Sequence, residues 1–365
     1  GGTALGDYSS TVECVDASSR QSVPLQQPTA GTKLAVEVKG NEDVVCTFTN
    51  TYIAPKLHLV KEVDNAGVTT DVAQPSDFTL AADGSTKENS FSGTTQVDSP
   101  SSLRADTWTL SESSDPRYAA GPWSCDGGRQ DGATITLAAG EEATCTVVNT
   151  LRTGTIELVK SLTPTTDTGL FDLSLDGDVV AAGVGDQGTS GPITVAAGSH
   201  TVAEAGADGT SLSDYTMGLA CIAKPEPDAR AQTRRAPDAT GTAVEVGDGQ
   251  TVICTFTNSR HGTLEVIKSL SPTTDKGLFD LSIVGGQIAS VVSDVGNGGT
   301  TGAQSVPTGT YTVAETAGTG TSLASYTSKL TCLADGEPIT GLSGLAATAA
   351  SVDVADGQTV VCTFL

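Results

Sequence analysis

The chain has 365 residues, enough for two to four domains. Its 43 acidic and 19 basic side chains give a net charge of −24, which excludes nucleic acid and anionic lipid as natural partners. No apolar run is long enough to span a bilayer, and Gly1 begins no signal peptide, so a membrane-free segment of a longer precursor is expected.

In chain order, the first recognisable elements are Gly2-Thr-Ala-Leu-Gly-Asp-Tyr8 and Cys46-Thr-Phe-Thr-Asn50. Next come Leu57-His-Leu-Val-Lys61, Trp108-Thr-Leu-Ser-Glu112 and Cys145-Thr-Val-Val-Asn149. The series returns as Ile156-Glu-Leu-Val-Lys160, His200-Thr-Val-Ala-Glu204, Gly209-Thr-Ser-Leu-Ser-Asp-Tyr215 and Cys254-Thr-Phe-Thr-Asn258. It returns again as Leu264-Glu-Val-Ile-Lys268, Tyr311-Thr-Val-Ala-Glu315, Gly320-Thr-Ser-Leu-Ala-Ser-Tyr326 and Cys362-Thr-Phe-Leu365. This is a tandem repeat. The spacing predicts the C-terminal half of one repeat at 1–52 and repeats at 53–151, 152–260 and 261–365, the last without the end of its closing strand.

Within each repeat, apolar and polar residues alternate in short runs broken by Gly, Asp, Pro and Ser, and no 3.6-residue period stands out. That pattern predicts an all-β, immunoglobulin-like sandwich per repeat. The short links from Asn149 to Thr155 and from Asn258 to Thr263 predict an elongated rod. Two Trp, six Tyr and seven Phe beside 42 Gly imply thin aliphatic cores, which in small domains usually need covalent reinforcement. Eight cysteines outside any CxxC pattern fit disulfides in an oxidising compartment better than zinc or thioredoxin-like chemistry.

Side chains alternate across a strand, so Lys160 shares the apolar face of Ile156 and Leu158. Lys61 lies with Leu57 and Leu59, and Lys268 with Leu264 and Val266. By the same rule Glu112, Glu204 and Glu315 turn inward beside Leu110, Val202 and Val313. Asn50, Asn149 and Asn258 follow the faces of Phe48, Val147 and Phe256. Unpaired buried charge is costly, so these groups must meet. Two readings are open. In one, a Lys–Glu ion pair with a nearby asparagine fixes register. In the other, an amine with lowered pKa attacks the asparagine carboxamide while a protonated glutamate assists, and ammonia leaves.

The early lysine, the Tyr311-Thr-Val-Ala-Glu315-Thr316 stretch and the closing asparagine resemble the CNA-B or SpaA-type domains, prealbumin-like β-sandwiches of bacterial surface adhesins and pilins. That family's E-box reads roughly Tyr-x-Leu-x-Glu-Thr, and its glutamate assists a Lys–Asn isopeptide bond between first and last strands. The resemblance implies the triads Lys61, Glu112, Asn149 and Lys160, Glu204, Asn258. It implies an incomplete third set, Lys268 and Glu315, and an isolated Asn50. The family's Pro-x-Gly-Tyr is replaced here by Gly-Thr-Ser-Leu-x-x-Tyr in two copies, and each repeat carries a cysteine pair that many members lack.

One disulfide per repeat gives the pairs Cys14–Cys46, Cys125–Cys145, Cys221–Cys254 and Cys332–Cys362. Asp167 and Asp275 lie in Pro-Thr-Thr-Asp-x-Gly loops, where turn formation fits better than calcium. His58, His200 and His261 are scattered, and no metal or cofactor is called for. Lys224 to Thr240, with Arg230, Arg234 and Arg235, reads as an inserted solvated loop. The expected function is an extracellular structural stalk or fibre of a bacterial cell surface or cell wall. Its expected partners are neighbouring repeats or subunits of the same fibre, with a host or surface ligand as a further candidate; it would not be an enzyme beyond forming its own cross-links. The alternative is a repeat adhesin or binding module for a glycan, ice or a host protein.

Overall fold

The alternating runs form strands almost throughout. The computed structural model describes residues 4–23, 35–224, 234–236, 241–286 and 288–365. Among these there is no α-helix, and the only helical segments are short 3₁₀ turns such as Leu212–Asp214. The chain divides into two compact units, Gly1–Arg152 and Thr153–Leu365.

The first unit opens with an antiparallel ribbon of Tyr8–Asp16 and Val44–Tyr52, in which Cys14 lies opposite Cys46. Among the described residues no second sheet covers it. Asn50, expected on a buried face, is therefore exposed, and Phe48 on the same face is 60% exposed. The alternation rule assigns a face correctly only where something packs against that face.

From Lys56 to Leu151 two sheets face each other. In one, the order is Gln96–Asp98, Lys56–Asp64, Glu142–Leu151, then Tyr118–Ala120, with Ser124–Asp126 also pairing Glu142–Leu151. The other runs Arg129–Asp131, Thr134–Leu137, Asp106–Glu112, Thr79–Asp83, Phe91–Thr94. Leu57, Leu59, Leu80, Trp108, Ile135 and Cys145 fill the space between. The first and last strands are adjacent and parallel, with Lys61 opposite Val147 and Asn149 opposite Val63.

The second unit contains two such sheet pairs. In the first, Thr153–Thr163 runs parallel to Thr251–Arg260, and Tyr215–Ala223 pairs antiparallel on the far side. In the second, Gly262–Lys268 runs parallel to Thr359–Phe364, with Leu330–Ala334 beyond. The facing sheets hold Leu170–Leu175 beside Gly198–Ala207, and Phe279–Gly285 beside Gly309–Ala317. Of the inserted stretch 224–240, Arg234–Ala236 adds an edge strand against Tyr215–Ala223, and most of the rest lies outside the described residues.

Candidate functional site

Each sandwich contains the same buried charge pair. Lys160 extends from the first strand across the core to the facing sheet, where Glu204 lies opposite Leu173. Its Nζ donates to Glu204 Oε2 at 2.7 Å, and neither side chain is more than 1% exposed. Lys268 Nζ meets Glu315 Oε2 at 2.8 Å in the same way. Lys61 Nζ lies 2.9 Å from Glu112 Oε2, close enough for an ion pair but without hydrogen-bond alignment. Burial pushes Lys160 down from its ordinary 10.5, and Glu204 offsets part of that shift. The amine thus yields its proton more readily than a surface lysine, as a nucleophile must.

The lysine backbone is fixed from both sides. Parallel pairing with the closing strand holds one edge. On the other, Lys160 N–H donates to Gly188 O, and Gln187 N–H donates back to Lys160 O. Lys268 exchanges the same bonds with Gly299 and Gly298. The flanking Ser190 and Thr301 hydroxyls accept from Leu158 and Val266 N–H.

The asparagines lie on the same face of the closing strand, two residues beyond the position opposite each lysine. Asn149 Nδ2 donates to Glu112 Oε2 at 3.3 Å, and its Oδ1 has no hydrogen-bond partner among the described residues. Asn258 is fully buried, and neither side-chain polar atom is hydrogen-bonded among the described residues. Opposite Lys268 the closing strand holds Phe364, the counterpart of Phe256.

An aromatic ring that sequence reasoning missed covers each amine. Lys61, Lys160 and Lys268 Nζ lie 4.7, 4.1 and 4.2 Å from the ring centroids of Phe78, Phe171 and Phe279. Phe171 and Phe279 sit in the Gly-Leu-Phe-Asp-Leu-Ser runs shared by two repeats, which was the available signal.

All eight cysteines are bonded, as Cys14–Cys46, Cys125–Cys145, Cys221–Cys254 and Cys332–Cys362. Each bond joins directly opposed residues of neighbouring antiparallel strands. In the three sandwiches the bond therefore clamps the closing strand on the side away from the lysine strand. His58 lies 2.6 Å from Asp98, His200 2.7 Å from Asp176, and His261 Nε2 3.1 Å from Thr216 Oγ1. Among the described residues, no group of three His, Cys, Asp or Glu side chains is placed to hold a metal ion.

No curated protein matches the sequence. The Bacillus anthracis TIE protein is 12% identical over 96% of this chain and 65% of its own, with a TM-score of 0.34. A major pilin of Streptococcus pyogenes, T-13, is 13% identical over 56% of this chain and 97% of its own, at 0.32. The pilus adhesin SpaC of Lactobacillus rhamnosus GG, in an open conformation, is 14% identical over 98% of this chain, at 0.29. The chain spans 65% of the Bacillus anthracis protein's length and 54% of the adhesin's. The SpaA-type prealbumin-like fold domain matches residues 53–147 in one form and 1–52, 178–260 and 272–365 in another. With most of its length so matched, the chain belongs to the SpaA-type prealbumin-like fold domain family.

Proposed function

We propose that the chain is part of an extracellular stalk or fibre on a bacterial surface, with other subunits of that fibre as its partners. In this reading it divides into units at 1–52, 53–151, 152–260 and 261–365. Two of them, 53–151 and 152–260, close on themselves through Lys61–Asn149 and Lys160–Asn258 isopeptide bonds. Its work is mechanical, and no external substrate is turned over.

Asn258 is the observation that carries this reading. A buried amide with no hydrogen bond costs about 1–3 kcal/mol, and such groups are rare in native proteins. In a bond to Lys160 the unpartnered Nδ2 leaves, and the amide nitrogen becomes Lys160 Nζ, which already has Glu204 Oε2 as its acceptor at 2.7 Å. The neutral amine nitrogen bonds to Asn258 Cγ, and the Cγ–Nδ2 bond breaks. Protonated Glu204 supplies a proton toward the carboxamide, recovers one from the amine nitrogen, and ammonia departs. Asn149, already bonded to Glu112, fits the same sequence of events.

Intact-mass measurement of the reduced chain tests the proposal. The wild type should fall short of its sequence mass by two ammonias. Glu112→Ala and Glu204→Ala should each restore one, because positioned proton transfer contributes about 10²- to 10⁴-fold in rate. Full sequence mass in the wild type would refute it.

A further inference from the structure

Beyond each lysine pocket lies a second cluster. Leu162, Phe171 and Tyr215 form a small buried group separate from the main core of their sandwich. Phe171, whose ring faces the Lys160 amine, packs edge-on against Tyr215, with centroids 5.3 Å apart. The Tyr215 hydroxyl donates to Asp167 Oδ1 at 2.7 Å and accepts from Arg260 Nη1 at 2.9 Å. In the last sandwich Phe279 packs edge-on against Tyr326 at 5.1 Å, and the Tyr326 hydroxyl donates to Asp275 Oδ1 at 2.7 Å.

This gives the Pro-Thr-Thr-Asp-x-Gly loops a task beyond turning the chain. The aspartate Oδ1 accepts the Gly169 or Gly277 N–H, which makes the turn, and the same oxygen receives the tyrosine hydroxyl. The glycine is needed for room, since a Cβ at Gly169 or Gly277 would collide with the Tyr215 or Tyr326 hydroxyl. Sandwich 53–151 reaches the same end with different residues: the Tyr118 hydroxyl donates to Asn65 Oδ1 at 2.7 Å, and Phe78 packs edge-on against the Tyr118 ring.

We propose that Tyr215 with Asp167, and Tyr326 with Asp275, are latches: positioning residues that hold the phenylalanine over the lysine amine and close that end of the pocket to water. Burial, and then the Asp167 hydrogen bond, pushes Tyr215 up to about 12, so it remains a hydroxyl donor wherever the fold survives. Tyr326 is likewise pushed up, chiefly by its bond to Asp275. The effect expected at Lys160 rests on the isopeptide reading, but the sealing of the pocket does not.

The sealing is tested at the Lys268 amine in a polypeptide limited to residues 1–365, which holds no asparagine two residues beyond Phe364. N-hydroxysuccinimidyl acetate is added to the full chain, and acetylation is located by peptide mass, with exposed Lys56 as reference. Tyr326→Phe should speed Lys268 acetylation about tenfold, the size expected for one lost hydrogen bond. Asp275→Asn alone should leave Lys268 as protected as in the wild type, since an amide oxygen accepts the Tyr118 hydroxyl in the first sandwich. In parallel, Tyr215→Phe should slow ammonia loss at Lys160 about ten- to a hundredfold. The Lys61–Asn149 pair is the internal standard. If Tyr326→Phe leaves Lys268 as shielded as in the wild type while both bonds form at full speed in Tyr215→Phe, the latch is refuted and the bond reading stands. If the wild type loses no ammonia but Tyr326→Phe unmasks Lys268, the bond reading fails and the latch stands.

Discussion

A lysine amine with no measurable exposure, facing one carboxylate and one phenyl ring, is costly to bury and becomes far costlier if its partner is removed. The first sandwich offers the cleanest measurement, because both tryptophans of the sequence, Trp108 and Trp123, lie in it. Their fluorescence therefore reports urea unfolding of that sandwich. In an Asn149→Ala background, where no Lys61–Asn149 bond can form, Lys61→Met should cost about 3–5 kcal/mol, since Glu112 is left charged and nearly buried. Adding Glu112→Leu should recover most of that loss. If the double variant is no more stable than the single one, the stranded charge is not what the lysine prevents. The inward faces of Lys61, Lys160 and Lys268 follow from two-residue alternation alone. Their aromatic covers do not, because Phe171 and Tyr215 come from separate strands and meet only in the folded sandwich.

Strands and their connecting turns have their own electrostatics. Asp106 begins the strand that carries Glu112 and accepts from Ser85, Asn89 and Thr107. Burial alone would raise its pKa, but these hydrogen bonds outweigh it and hold the carboxyl at about 2. A depressed folded value means the stabilisation is complete above the ordinary 3.8 and is lost as pH falls toward about 2. Asp106→Asn should therefore flatten the acid limb of the tryptophan-detected stability curve over that interval; an unchanged limb would show that the hydrogen bonds contribute little. The disulfides act on the closing strands. Cys125–Cys145 closes a separation of 20 residues, so replacing both with serine should destabilise that sandwich by about 3 kcal/mol. Sequence alternation supplied strand faces here but not strand partners. The parallel pairing of Lys160 opposite Phe256, two residues before Asn258, is a long-range register that local spacing does not encode. Asn50 illustrates the limit, since its strand has the motif and the disulfide but, among the described residues, no facing sheet.

At the scale of the whole molecule, the net charge of −24 opposes non-specific association, and the proposed mechanical role would place the stress of a pull inside each sandwich. First and last strands are parallel neighbours, so a pull on the first from its N-terminus and on the last from its C-terminus loads their hydrogen bonds in shear. A bond from Lys160 to Asn258 would carry that load before the hydrogen bonds do. Single-molecule stretching should then show no unfolding of the first two sandwiches; Glu204→Ala should add one unfolding event. Whether those bonds exist is the central claim, and digestion of the reduced chain followed by peptide mass analysis tests it most directly. The account predicts branched peptides joining Lys61 to Asn149 and Lys160 to Asn258, each lighter by one ammonia. Linear peptides bearing free Lys160 and intact Asn258 would contradict it.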